Sequence, residues 1–235
     1  MIPWVLLDSA KTPDGGELRL LQRGDEFSIR AGTAELMNSR QHGSEEALAR
    51  LACERIGNRS RAQILIGGLG MGFTLAATLA ALKPDARVTV AELVPAVVAW
   101  ARGPLATLFG GSLEDPRVDI RVEDVGRTLK AARASYDAIL LDVDNGPEAL
   151  TQDSNDALYE LAGLSIAKSA LRPGGVLAVW SSHPDRDFTG RLRLAGFAVE
   201  EKRTRAREGK GARHTIWLAT NENSPRPNRS RNWKR

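Results

Sequence analysis

Four short stretches of this 235-residue chain carry side chains that could do chemistry together. The first is Gly67-Gly68-Leu69-Gly70-Met71-Gly72. Glycines there let backbone approach a ligand closely, and a helix opening after them adds positive potential. The second is Glu92 with Leu93 beside it, 20 residues beyond Gly72. A carboxylate ending the second strand of a nucleotide-binding sheet is placed to hold ribose hydroxyls. The third is Asp124 followed by Val125. Its carboxylate can accept a hydrogen bond from the exocyclic amine of a purine and can also cap a helix. The fourth is Asp142-Val143-Asp144-Asn145-Gly146-Pro147. Extended-chain alternation puts Asp142 and Asp144 on one side, where paired carboxylates hold a cationic amine and help remove its proton. An Asx-type turn built from Asp144, Asn145 and Gly146 is the other reading of that segment.

The elements that must position these groups follow from periodicity. Residues 4–36 read as strands: WVLLD, then two β-type runs around Arg23-Gly24-Asp25, which is a hairpin turn rather than an adhesion motif. From Ser44, taken as an N-cap, the period becomes helical through Leu48, Leu51, Ala52 and Ile56, and Gly57 closes the helix. Strand and helix then alternate: QILIGG, a helix over 73–82, RVTVAEL, a helix from Pro95, VDIRVED, a helix over 125–134, YDAILLD, a helix over 156–170, GGVLAVWSS and a short helix near 188–194. Apolar strands alternating with helices require a parallel sheet covered on both faces. FAVEEKRTRA and HTIWLAT have no helix between them and must pair antiparallel. The expected fold is α/β: a Rossmann-like, seven-stranded, mostly parallel sheet with a C-terminal antiparallel hairpin, preceded by a small N-terminal β region. The expected division is residues 1–36, 37–220, and a disordered basic tail over 221–235. In such a sheet the four stretches all fall at strand carboxyl ends, where ligands bind. The pattern Gly68-x-Gly70-x-Gly72 is shorter than a dinucleotide fingerprint and suits a single nucleoside with a short side chain.

Charge does not point to this site. The formal net charge of +4 is carried entirely by residues 220–235, which hold five basic groups and Glu222. Contact with nucleic acid is therefore expected only through the tail. The basic run from Lys202 to Arg213 suits an edge protected against strand pairing. One cysteine, Cys53, and three dispersed histidines exclude an internal disulfide and a structural zinc site, so no metal is expected. With no signal segment and no membrane-length apolar run, a cytoplasmic location is expected and no membrane partner. His42 stands beside the first helix, and Trp4, Trp100, Trp180 and Trp217 are expected in the core.

The glycine loop, Ala91-Glu92-Leu93, Glu123-Asp124, the stretch from Tyr136-Asp137 through Asp142 to Pro147, and Arg172-Pro173-Gly174-Gly175 together resemble class I S-adenosylmethionine-dependent enzymes. Within them they are most similar to the spermidine synthase (polyamine aminopropyltransferase) family, over roughly residues 15–220. The resemblance implies decarboxylated S-adenosylmethionine, or S-adenosylmethionine itself, as co-substrate, and a small-molecule amine as acceptor. It implies that Glu92 holds the ribose, that Asp124 with Val125 meets the adenine, and that Asp142 activates the attacking amine. Homodimers are usual in that family. Two departures keep other outcomes open. Leu69 and Gly70 stand where the family's loop carries an aspartate, and Asp144 and Asn145 do not align cleanly with its second catalytic aspartate. A methyltransferase on the same scaffold, and a non-catalytic nucleoside-binding protein with a nucleic-acid-contacting tail, are the alternatives.

Overall fold

The computed structural model describes residues 2–13, 15–143, 157–207 and 210–222. Four N-terminal strands, β1 (Val5–Lys11), β2 (Glu17–Arg23), β3 (Glu26–Ala31) and β4 (Ala34–Asn38), form an antiparallel meander in chain order. The turn at Gly24 and Asp25 joins β2 to β3, as the Arg-Gly-Asp triplet implied.

The second sheet contains β5 (Gln63–Gly67), β6 (Arg87–Glu92), β7 (Val118–Val122), β8 (Tyr136–Leu141), β9 (Leu171–Ser181), β10 (Ala198–Arg207) and β11 (Lys210–Thr220). Its order is β10-β11-β9-β8-β5-β6-β7, parallel from β9 to β7 and antiparallel at β9–β11–β10. This is the expected α/β architecture. Helices among the described residues include α1 (Gly43–Ile56), α2 (Phe73–Ala81), α3 (Pro95–Arg102), the short α4 (Ala106–Phe109), α5 (Val125–Ala131), α6 (Leu161–Ala170) and α7 (Arg186–Leu194).

Strand parity explains the layers. Ile64, Ile66, Val88, Val90, Ala138 and Leu140 face one side, where Leu48 and Ala52 of α1, Leu75 of α2 and Val97 of α3 cover them. Leu65, Ile139 and Leu141 face the other side, against Leu129 of α5, Leu164 of α6 and Phe188 of α7. Successive residues of a strand point to opposite faces, so continuous apolar runs demand both layers. Leu20, Phe27 and Ile29 of the N-terminal sheet join the first layer, and Trp100 Nε1 of α3 donates to Asp8 Oδ2 of β1 at 2.7 Å. At the amino end of β8, Asp137 is 3% exposed and accepts from Arg59 Nη1 at 2.7 Å, Arg172 Nη1 at 2.7 Å and the Gln63 amide at 2.8 Å. That carboxylate is fully matched by charge and hydrogen bonds.

Three sequence expectations need correction. The first helix begins at Gly43 with His42 at its N-cap, so Ser44 is inside the helix. Its hydroxyl instead meets the side chains of Glu45 and His214. Helix α5 stops at Ala131, because Ala132 is extended and Ala134 takes a positive φ. Trp100, Trp180 and Trp217 are core residues, but Trp4 is half-buried, with Arg23 and Arg30 stacked on its ring. Cys53 is buried, and burial pushes its thiol up to about 11, which makes it unreactive.

Candidate active site at the carboxyl ends of the strands

Parallel register brings the strand ends to one edge. Gly67 pairs with Ala91 on one side and Leu141 on the other, and Glu92 pairs with Val122. The chain builds β6 and β7 on one side of β5 and then crosses to lay β8 on the other, so a crevice opens beyond the end of β5. A cavity of about 520 Å³ fills that crevice. Gly68, Gly70, Glu92, Leu93, Asp124, Val125 and Asp142 all line it. Gly67 does not: its Cα faces Val125 and Leu141, and its carbonyl accepts from the Asp142 amide at 3.0 Å. Gly72 lies at the N-cap of α2, on the wall of a smaller adjoining cavity. Asp144 and the tail from residue 223 onward lie outside the described residues.

The loop is fastened on both sides. Gly68 donates its amide to the Ala91 carbonyl at 2.9 Å and has φ +89. A Cβ there would stand 2.5 Å from the Asp142 carbonyl oxygen, so only glycine lets the loop pass the end of β8. Glu92, 7% exposed, accepts from the Leu69 amide at 2.8 Å and the Val94 amide at 2.9 Å. Its carboxylate thus shapes the loop as well as facing the cavity. Asp124 caps α5 by accepting from the Gly126 amide at 2.6 Å, with its carboxylate on the cavity wall.

The opposite wall comes from the N-terminal sheet. Thr12, Leu18, Ile29, Ala31, Leu36 and Met37 line it. Nothing in the strand–helix alternation foretells this contribution, because it depends on how two sheets dock.

Beyond Gly70 the cavity adjoins a recess of about 70 Å³, walled by Met37, Glu45, Gly70, Phe73, Asp142 and Trp180 among others. Glu45, in the first turn of α1, is a residue that sequence reasoning missed. An acidic residue at a helix start is fully explained by the helix dipole, so its type gave no separate signal. Burial pushes Glu45 up to about 7, with the Asp142 charge adding to the effect. Burial raises Asp142 to about 6, opposed by a 2.5 Å hydrogen bond donated from Thr74 Oγ1 to its Oδ2. No ion pair among the described residues involves either carboxylate. Such a pair is lowered and stabilised by an incoming cation. His42 stacks on Phe73 at 4.2 Å, with Nδ1 2.8 Å from Glu46 Oε1, outside the lining of either cavity.

The described residues contain no group of three or more histidine, cysteine, aspartate or glutamate side chains arranged to hold a metal ion. No helix among them is long and apolar enough to cross a membrane.

Comparison with known proteins matches residues 41–186 to the spermine/spermidine synthase domain. A polyamine aminopropyltransferase of Mycobacterium tuberculosis is 27% identical over 194 residues, covering 78% of this chain and 35% of that protein. Polyamine aminopropyltransferase 2 of Pseudomonas aeruginosa is 33% identical over 129 residues, covering 52% of this chain and 35% of its own length. The chain thus spans about a third of the length of these curated relatives. Among solved structures, spermidine synthase from Thermotoga maritima superposes with a TM-score of 0.73 at 17% identity, over 92% of this chain and 72% of that one.

Proposed function

Because the chain belongs to the spermine/spermidine synthase family, we propose that it moves an aminopropyl group from decarboxylated S-adenosylmethionine to a small amine. One observation carries the proposal. A single crevice has nucleoside-type carboxylates, Glu92 and Asp124, on one flank, and the uncompensated pair Asp142 and Glu45 on the other, with the glycine loop between them. About 300–1,000 Å³ is the usual range for a small-molecule site, and a 520 Å³ cavity fits it.

In this proposal Glu92 faces the ribose, Asp124 and Val125 border the base, and Leu93 packs beside them. Asp142 and Glu45 receive the cationic acceptor in the recess. The donor's sulfonium supplies an activated leaving group, so the protein's task is to orient the amine and take a proton from it. The Gly70 position leaves the loop without a carboxylate of its own, and Glu45 brings one from α1 to the recess that Gly70 also lines. A negative recess favours the decarboxylated donor, because the carboxylate of S-adenosylmethionine itself would be repelled there.

The test is incubation with decarboxylated S-adenosylmethionine and a panel of diamines, read by mass spectrometry. Aminopropylated amine and methylthioadenosine are the expected products. No such product with any diamine, together with tighter calorimetric binding of S-adenosylmethionine than of its decarboxylated form, would replace the proposal with methyl transfer.

A further inference from the structure

Ser44 is completely buried as the second residue of α1, yet it is the centre of a polar chain. Its Oγ donates to Glu45 Oε2 at 2.5 Å and lies 2.8 Å from Nδ1 of His214 on β11. His214 is half-buried, its ring set edge-on to Trp180 at 4.8 Å. Beside it His183 is exposed, with Nδ1 2.9 Å from Ser182 Oγ. Glu45 and Trp180 both wall the carboxylate recess. A continuous path of hydrogen-bonding groups therefore leads from the recess, through an otherwise apolar helix–sheet interface, to a histidine with access to water.

We propose that Glu45 takes the proton lost by the acceptor amine and that Ser44 and His214 pass it out of the cavity. This rests on the amine-transfer proposal above. The balance requires such an exit. An amine enters as an ammonium and must lose one proton before its lone pair can act. That lone pair forms the new C–N bond at the carbon beside the sulfonium. The C–S bond breaks and its electron pair stays on sulfur, leaving a neutral thioether. The product nitrogen is a secondary ammonium, so each transfer releases one proton.

The chain of groups can carry it. Protonated Glu45 donates from Oε2 to Ser44 Oγ, and the serine hydrogen passes to His214 Nδ1. The imidazolium then releases its Nε2 proton to water, and exchange with water together with rotation of the serine hydroxyl resets the path. Burial and Asp142 raise Glu45 to about 7, with Glu46 adding to the effect and the Ser44 hydrogen bond opposing it, while burial and the neighbouring His183 lower His214. A lowered imidazolium gives its proton up readily to water. Ser44 and His214 touch no substrate and are positioning residues for Glu45.

The test compares the pH dependence of kcat and KM for the full-length chain with Ser44→Ala, His214→Asn and His214→Ala. Loss of the path should lower kcat by about 10-fold or more near neutrality, with the acceptor KM little changed, and the deficit should shrink as pH rises and hydroxide takes over. Added imidazole should restore part of the His214→Ala activity. Profiles that superimpose on wild type, or a loss uniform in pH with no imidazole rescue, would overturn the proposal. A second readout is independent of turnover. The NMR titration of His214 should shift in Glu45→Gln and in Ser44→Ala. An unchanged His214 titration in both would overturn the path even if transfer is confirmed. Absence of product from wild type with every diamine would instead remove the functional proposal and leave the path to be decided by the titration.

Discussion

Thr74 Oγ1, in the first turn of α2, donates a 2.5 Å hydrogen bond to Asp142 Oδ2 at the end of β8. The bond joins the helix that follows the glycine loop to the neighbouring strand, and it opposes the effect of burial on Asp142. Thr74→Val keeps the side-chain shape and removes the donor. Asp142 should then rise further above about 6, and the acidic limb of the pH–rate profile should move up by about one to two units, as a charge-assisted bond of ~1.5–3 kcal/mol implies. A kcat/KM profile over about pH 5–9 checks this. An unmoved limb would show that Asp142 does not control it.

The same carboxylate has a stability signature. Folding raises Asp142 from 3.8 to about 6. The native state therefore binds more protons than the unfolded chain between those values, and stability falls as pH rises through that window. Asp142→Asn removes the penalty. A gain of about 1–3 kcal/mol is expected near pH 8, after discounting for partial exposure, and essentially none near pH 4. Denaturant melts at the two pH values decide it, and an equal effect at both would rule out the charge as the cause.

Glu92→Gln should be costly in two ways. Both carboxylate oxygens accept backbone amides, from Leu69 and Val94. Glutamine can satisfy only one of them, because its NH₂ opposes the other donor. A stability loss of about 1–3 kcal/mol is expected, together with weaker nucleoside binding as the loop relaxes. Thermal melts and calorimetry with methylthioadenosine measure the two effects separately.

Two loop glycines should respond differently to alanine. A Cβ at Gly72 would collide with the buried Phe109 ring, and the residue's φ of +83 is left-handed. Gly72→Ala should cost about 1–2 kcal/mol for the backbone and about 1–3 kcal/mol for overpacking. At Gly70 the new Cβ meets only the Met37 thioether, at 3.0 Å, and methionine can yield. Gly70 has a left-handed φ of +51 that still costs about 1–2 kcal/mol, so Gly70→Ala should lose less stability than Gly72→Ala while binding nucleoside less tightly, since Gly70 lines the cavity. Melting temperatures and binding constants for the pair test this ordering.

Much of the site could be read from the sequence, because a parallel sheet puts every strand's carboxyl end at one edge. Glu92, Asp124 and Asp142 sit at those ends, and their placement needs only the strand–helix alternation. The residues that escaped are those supplied by packing. Glu45 and Ser44 look like ordinary helix-start residues. Their partners, Asp142 and His214, are 97 and 170 positions away in the chain. Thr74 reads as a helix surface residue until α2 is set beside β8. The Ser44 N-cap expectation failed because the helix starts two residues earlier, at Gly43 with His42 as its cap, which frees the serine hydroxyl for its neighbours.

The cavity's two walls belong to different sheets, the N-terminal meander on one side and the strand ends on the other. A molecule lodged there acts as a rivet between them. Its binding energy is shared with the seam that joins Leu20, Phe27 and Ile29 to the first core layer. Occupancy should therefore slow amide exchange on the meander side of the seam as well as around the glycine loop.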